Sequence, residues 1–289
     1  MDRIEKALRQ AKAEQAKSKR GETVDTPDTL DTQDGADFID ETTSDGNARV
    51  QPQYISYSKT KVIKSTPEVY AESRLIAALK HDPRSTSFRM LRTQILKTLR
   101  KNQWNSIAVT AATQGAGKSF VAANLAVSIS SEVNQTVMLV DLDMRRPTLH
   151  RYFGFKPEHG LQDYLTGKVE LESVLVNPGM ERLVVLPGRG THPESSELIS
   201  TPRMRELSHE LKTRYEARIV IYDLPPVLAV DDAMVFMPHA DAALFVVENG
   251  VNTEDEIRRS MNLLGATNLL GTVLNKAEER NSDYYYGYN

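Results

Sequence analysis

Six short apolar runs constrain what this 289-residue chain can fold into. They cover residues 106–111, 136–140, 182–186, 218–222, 242–247 and 269–274, with helical patterns in most of the gaps. Ser119–Ser131 is rich in alanine and carries Phe120, Leu125, Val127 and Ile129. Pro202 after Thr201 marks a second helix start, continued by Met204, Leu207 and Leu211. Thr253 and Glu256 form a capping box ahead of Ile257, Met261 and Leu264. Upstream, Tyr70–Lys80 and Ser87–Arg100 have helical periodicity; in the second, Phe88, Leu91, Ile95 and Leu99 fall on one face. Short continuous apolar strands alternating with helices predict an α/β domain whose mostly parallel central sheet is covered on both faces. Ligands of such sheets sit at the carboxyl ends of the strands.

The first run ends in chemistry. Behind Ile107-Ala108-Val109 comes a turn and then Gln114-Gly115-Ala116-Gly117-Lys118-Ser119-Phe120. A buried strand, a glycine loop and a helix start bring backbone N–H groups, the positive end of a helix and one Lys charge to one small volume, as phosphate binding requires. Ala112 stands where the usual first glycine of this pattern would be.

Two further runs end in carboxylates. The second delivers Asp141-Leu142-Asp143-Met144-Arg145-Arg146 and the fourth delivers Asp223-Leu224-Pro225-Pro226. An Asp at the end of an apolar strand is desolvated without reward unless a cation or donors are present. Beside a bound nucleotide that cation is Mg²⁺, which takes one or two carboxylates and keeps several waters. Singly, each Asp reads equally as a helix cap or turn residue; three at two strand ends, next to Gly-x-Gly-Lys-Ser on another, do not. Asp141 and Asp143 share a face if the strand continues and part if it turns. Their proximity would raise one pKa while Mg²⁺ and Lys118 would lower it.

The flanks have a different composition. Residues 1–20 carry seven Lys/Arg against three acids, and residues 21–48 carry nine acids and no base. The rest is left near +2 within a whole-chain charge of −3, so no broad basic field points to nucleic acid. Residues 1–20 read as a basic helix with a thin apolar face (Ile4, Ala7, Leu8, Ala11), solvated at the chain end or else docked on a membrane surface or partner, though two large apolar side chains bind a membrane only weakly. Residues 21–66 read as an acidic disordered linker, because they hold too few apolar groups to offset ordering entropy. The Asp repeat from Asp25 to Asp40 lacks the glycine and terminal Glu of a calcium loop. No apolar run approaches the ~20 residues of a membrane span, and cysteine is absent, so the chain reads as cytoplasmic. The remaining units are a catalytic domain over 67–280 and a tail over 281–289.

Four motif segments together carry a family resemblance. Gln114–Ser119, Val140-Asp141-Leu142-Asp143-Met144-Arg145-Arg146-Pro147, Ser196-Glu197-Leu198 and Ile219–Pro226 resemble the bacterial tyrosine autokinases of capsular and exopolysaccharide synthesis, over about residues 85–289. Ser282-Asp283-Tyr284-Tyr285-Tyr286-Gly287-Tyr288-Asn289 resembles that family's C-terminal tyrosine cluster, and Ile4-Glu5-Lys6-Ala7 the opening of its exopolysaccharide-locus subgroup. The resemblance implies a P-loop NTPase fold using ATP and Mg²⁺. It implies that Gln114–Phe120 and Asn275 hold the nucleotide, Lys118 holds the β- and γ-phosphates, and Ser119, Asp143 and Asp223 arrange the metal. Lys118, Asp141 and Asp143 are then the catalytic set, with Asp141 activating a tyrosine hydroxyl. Tyr284, Tyr285, Tyr286 and Tyr288 are the implied acceptors, presented in trans by a neighbouring copy. Independently, four tyrosines in five positions cannot share one face of a helix or strand, so they do not read as a core stripe.

Three positions depart from the family. Gln114 replaces a usual Pro, Leu224 a usual Thr, and Thr86 the Glu of an oligomer-contact motif whose Arg89 and Arg92 are kept. Arg89 and Arg92 therefore read either as surface charge or as a subunit contact lacking its acidic half. The implied partners are a separate transmembrane polysaccharide co-polymerase that recruits the chain to the inner face of the membrane, further copies of this chain, and a tyrosine phosphatase. Two rival readings are a MinD/ParA-like ATPase switch and a nucleotide-binding scaffold of polysaccharide assembly. The former carries a signature Lys where this chain has Thr113.

Overall fold

The computed structural model describes residues 60–79, 81–215, 217–265 and 267–277. They open with β1 (Lys61–Val62) and α1 (Pro67–Glu72), pass a 3-10 turn at Ile76–Ala78 and enter the long α2 (Ser85–Asn102). β2 (Ser106–Ala111), α3 (Lys118–Ser130) and β3 (Thr136–Asp141) follow, then three short helices, α4 (Leu149–Tyr152), α5 (Leu161–Leu165) and α6 (Leu171–Val174). β4 (Val176–Asn177) and β5 (Leu183–Leu186) lead to α7 (Ser195–Ile199) and α8 (Pro202–Thr213). The last elements are β6 (Arg218–Asp223), α9 (Asp232–Phe236), a 3-10 turn at Met237–His239, β7 (Ala242–Glu248), α10 (Glu254–Leu264) and β8 (Leu269–Asn275).

The strands form one sheet in the order β1-β4-β5-β3-β6-β2-β7-β8, parallel at every pairing except β4 against β5. All six expected strands are in it. The two-residue β1 and β4 are too short to leave a periodic signal. Alternate residues of each central strand enter separate cores. Ile107, Val109, Leu139 and Ile221 pack under α2 and α3. Val140, Val220, Tyr222 and Phe245 pack against α8 and α10 on the other face. Burial on both faces is why these strands read as unbroken apolar runs.

Register sets the site. Val109 of β2 and Asp141 of β3 both pair with Asp223 of β6, so β3 and β6 end level with each other while β2 runs on to Ala111 before the loop. The chain after β2 turns directly into α3, which lies buried between the sheet and α2; Ala122, Ala123 and Ala126 permit that close packing.

Two expectations are corrected at the amino side. Residues 61–65 belong to the domain rather than to a tether ending at residue 66. Lys61 and Val62 pair with β4, Ile63 N–H donates to Asn177 O at 2.8 Å, and the Ser65 hydroxyl donates to Phe153 O. Backbone pairing at a sheet edge, together with Ile63 packed against the core under α2 and α3, orders this short stretch. The helix expected over Tyr70–Lys80 is broken, because Arg74 takes a left-handed conformation (φ 59°). Buried Asn124 of α3 holds that break: its Oδ1 accepts from Ala77 N–H at 2.9 Å and its Nδ2 donates to Arg74 O at 3.2 Å. Residues 1–59, with the basic helix and most of the acidic linker, lie outside the described residues.

Arg92 is engaged within the chain. It donates to Ser128 O at 3.0 Å and pairs with Glu132 at 2.9 Å, fastening α2 to the carboxyl end of α3. Arg89 donates to Ser85 Oγ and to Oγ1 of Thr86, the residue that replaces the expected acid.

Candidate phosphoryl-transfer site

The loop between β2 and α3 has the shape its glycines permit. Gly115 and Gly117 both lie at φ 90°, where a side chain is strained. Gly117 is also crowded: a Cβ there would sit 2.1 Å from Nδ2 of Asn275, whose amide donates to Ala116 O at 2.8 Å. Gln114 and Gly115 are exposed, Ala116 is buried, and Lys118 and Ser119 begin the helix. Phe120 turns its ring onto Phe88, edge to face at 5.6 Å.

Lys118 is the centre of the charge. Its ammonium lies 2.7 Å from Asp143, 3.5 Å from Asp223 and 3.2 Å from the Ser119 hydroxyl. Burial alone would drive its pKa down; the Asp223 and Asp143 carboxylates outweigh this and hold it up, so it stays charged. Asp143 also accepts from the Arg146 N–H at 3.1 Å. Asp141 is fully buried. Its Oδ2 accepts from Thr148 and Leu149 N–H, each at 3.0 Å, while its Oδ1 has no hydrogen-bond partner. Gly188 lies over it, where a Cβ would meet Pro147 at 2.7 Å and the Asp141 carboxyl carbon at 3.5 Å.

Asp223 is the least satisfied group. It is fully buried, and neither carboxylate oxygen has a hydrogen bond. Burial pushes Asp141 well above the ordinary carboxylate range, helped by the Asp223 charge, and raises Asp223 too, against the opposing pull of Lys118. One ammonium thus faces three carboxylates, an arrangement that calls for a further cation. The donors are all oxygens, as Mg²⁺ requires. No group of three His, Cys, Asp or Glu that could hold a metal occurs among the described residues.

The loop, Lys118, Ser119, Asp141, Asp143, Asp223 and Asn275 are therefore gathered at one edge of the sheet. Tyr284, Tyr285, Tyr286 and Tyr288 lie outside the described residues. Sequence reasoning missed Asp232 and Ser195. Asp232 is fully buried in the first turn of α9; it accepts from Arg145 Nε at 3.3 Å and from the Ser195 hydroxyl. An Asp opening a helix looks like an ordinary helix start, so nothing local marked it. Thr113 accepts from Asn252 Nδ2 at 2.9 Å.

A glycine loop between a central strand and a helix, with a buried Lys and carboxylates at adjacent strand ends, defines a P-loop nucleotide-binding domain. Residues 107–286 match the CobQ/CobB/MinD/ParA nucleotide binding domain family. The tyrosine-protein kinase YwqD of Bacillus subtilis is 34% identical over 207 residues, which cover 70% of this chain and 86% of YwqD. The tyrosine-protein kinase Etk of Escherichia coli is 36% identical over 199 residues; these cover 68% of this chain but only 27% of Etk. The solved Etk kinase domain superposes with a TM-score of 0.67 at 33% identity, covering 79% of this chain and 93% of that domain. The cell division ATPase MinD of Pyrococcus furiosus is more distant, with a TM-score of 0.50 at 25% identity over 59% of this chain and 71% of that one. The chain belongs to the CobQ/CobB/MinD/ParA nucleotide-binding family and, within it, to the bacterial tyrosine-protein kinases.

Proposed function

We propose that this chain is an ATP-dependent protein-tyrosine kinase that phosphorylates the tyrosine cluster Tyr284–Tyr288 of a neighbouring copy. The observation that carries this is the buried, unsatisfied Asp223 beside Lys118 at the glycine loop, in a chain 34% identical to YwqD over most of that kinase. The N–H groups of Gly115–Ser119 and the α3 terminus receive the phosphates, and Lys118 moves from its carboxylates to the transferring phosphoryl oxygens. Ser119, Asp143 and Asp223 would hold Mg²⁺, which supplies charge neutralisation across the β- and γ-phosphates. Asp141 takes the proton of the attacking tyrosine hydroxyl on Oδ1, the oxygen its backbone donors leave open; burial raises its basicity for that role. Asn275 meets the adenine. Each tail phosphate adds about −1.5 to −2 charge, which drives the product away from a carboxylate-lined site.

Exopolysaccharide or capsule export is the setting we infer, with a transmembrane co-polymerase as activator, further copies as substrate, and a phosphatase for reversal. Among the described residues no helix is long and apolar enough to cross a membrane; we infer recruitment to the inner membrane face through the activator.

Incubation of the full chain with Mg-ATP, followed by phosphotyrosine immunodetection, tests the reading. Signal is expected for the wild type and absent in Lys118→Met and in a variant lacking Tyr284–Tyr288. ATP turnover without phosphotyrosine, with the activator's cytoplasmic segment supplied, would sink it in favour of an ATPase switch or a scaffold.

A further inference from the structure

We propose that Asn275 is a positioning residue for the phosphate loop. Its side-chain amide clips the Ala116 carbonyl and thereby aims the Gly117 N–H into the anion cradle; this rests on the nucleotide-binding reading above. The contact is direct, Nδ2 to Ala116 O at 2.8 Å. A peptide unit is planar and, among the described residues, never cis here, so its C=O and N–H point in opposite directions. Fixing the Ala116 carbonyl outward onto Asn275 therefore fixes the Gly117 N–H inward.

The loop needs such a restraint. Two of its residues are glycines at φ 90°, the residue type that loses most conformational freedom when ordered. Restraint from a rigid element before the phosphates arrive lowers the entropy cost of binding them. Asn275 is itself on such an element. It ends β8, its carbonyl accepts from Asn249 N–H at 3.0 Å, and it pairs in register with Glu248 of β7. β7 pairs in turn with β2, the strand that delivers the loop. Immediately beyond, Lys276 takes a left-handed conformation (φ 57°) with its ammonium 2.8 Å from Glu248, which holds the turn that follows the clip.

Gly117 is consequently glycine for two reasons: its positive φ, and the 2.1 Å approach a Cβ would make to Asn275 Nδ2. The clip uses one N–H of the amide, so the clip and a base contact through its other N–H or its oxygen can coexist on one side chain. Base contact alone and a loop clip differ in one observable. A clip acts on phosphates that carry no base.

The test is titration calorimetry of the full chain with Mg-ATP and, separately, with magnesium tripolyphosphate. Asn275→Ala is expected to weaken both ligands by about tenfold, the worth of one net hydrogen bond. Asn275→Asp, which sets a carboxylate against the Ala116 carbonyl, is expected to weaken both further. In a double-mutant cycle, Gly117→Ala with Asn275→Ala is expected to bind tripolyphosphate better than the sum of the single losses, because removing Asn275 relieves the clash. Thermal melting confirms that each variant is folded. Loss of ATP affinity with unchanged tripolyphosphate affinity in Asn275→Ala overturns the clip and leaves a base contact. Additive losses in the cycle also overturn it. Wild-type chain that binds both ligands but transfers nothing to tyrosine overturns the kinase reading alone, whereas failure to bind either ligand overturns both.

Discussion

The two ends of the central sheet treat the same side chain in opposite ways. At the amino ends, Asp241 just before β7 is saturated with donors. Its Oδ2 accepts from Asn105 N–H, Ser106 N–H and the Ser106 hydroxyl at 2.9–3.0 Å, and its Oδ1 pairs with Lys212. Burial pushes its pKa up, but Lys212 and those hydrogen bonds more than offset this and hold it below the ordinary range. At the carboxyl ends, Asp223 lies on β6 with neither oxygen in a well-formed hydrogen bond and only the Lys118 ammonium, 3.5 Å away, to face it, and burial raises its pKa. One carboxylate ties strands together. The other is kept short of partners, so that stability is given up where a charged ligand must later bind.

Four substitutions probe that contrast, from the largest effect to the smallest. Lys118→Met removes the only ammonium within ion-pair distance of the site carboxylates among the described residues. Tyrosine phosphorylation should fall by about 10²–10³-fold or more, as when a single transition-state charge stabiliser is lost, measured as initial rates with Mg-ATP. Asp241→Asn should cost about 1–3 kcal/mol in urea unfolding at neutral pH, because it leaves Lys212 and two backbone donors poorly matched. Its pH dependence has a definite sign. The folded-state pKa is depressed, so the stabilisation is present above the unfolded value of about 3.9 and is lost as pH falls through the folded one. Wild type and variant should converge in acid, and a constant gap down to pH 2 would contradict the assignment.

Asp223→Asn should do the reverse at the other end. Ligand-free stability is expected to rise by about 1 kcal/mol, since the desolvation of this buried charge outweighs its 3.5 Å pairing with Lys118, which keeps Asp143 at 2.7 Å, while phosphorylation is lost. A raised pKa means that the wild-type penalty disappears as pH falls and Asp223 protonates, so the gain should shrink toward acid. A variant less stable than wild type at neutral pH would erase the contrast between the two ends. Smallest is Arg92→Ala, expected to lower stability by about 0.5–1 kcal/mol through the partly exposed Glu132 pair and the Ser128 contact. Sedimentation velocity of the same variant should show unchanged self-association, because Arg92 is already engaged within its own chain.

Much of this was legible in the chain itself. Period-two burial on both faces writes a strand as an unbroken apolar run, and all six such runs became strands. Glycine at positive φ, a Lys after the loop and carboxylates at strand ends are local signals, and Lys118, Ser119, Asp141, Asp143 and Asp223 do meet. Family motifs added Asn275, although not its contact with Ala116. What failed had no local signature. β1 and β4 are two residues each and exist through backbone pairing. The break after α1 depends on Asn124, some fifty positions away. Asp232 looks like any helix start until Arg145 and Ser195 close on it.

Alternating hydrophobicity and turn chemistry, which act between near neighbours, by themselves determined the fold class and which residue types end each strand. Strand order and register were decided only in three dimensions. They set Asp223 level with both Asp141 and Val109, left its two buried oxygens short of hydrogen bonds, and laid Asn275 against the glycine loop. Charge and desolvation depend on distances between residues far apart in the chain, and those distances exist only once the sheet has formed.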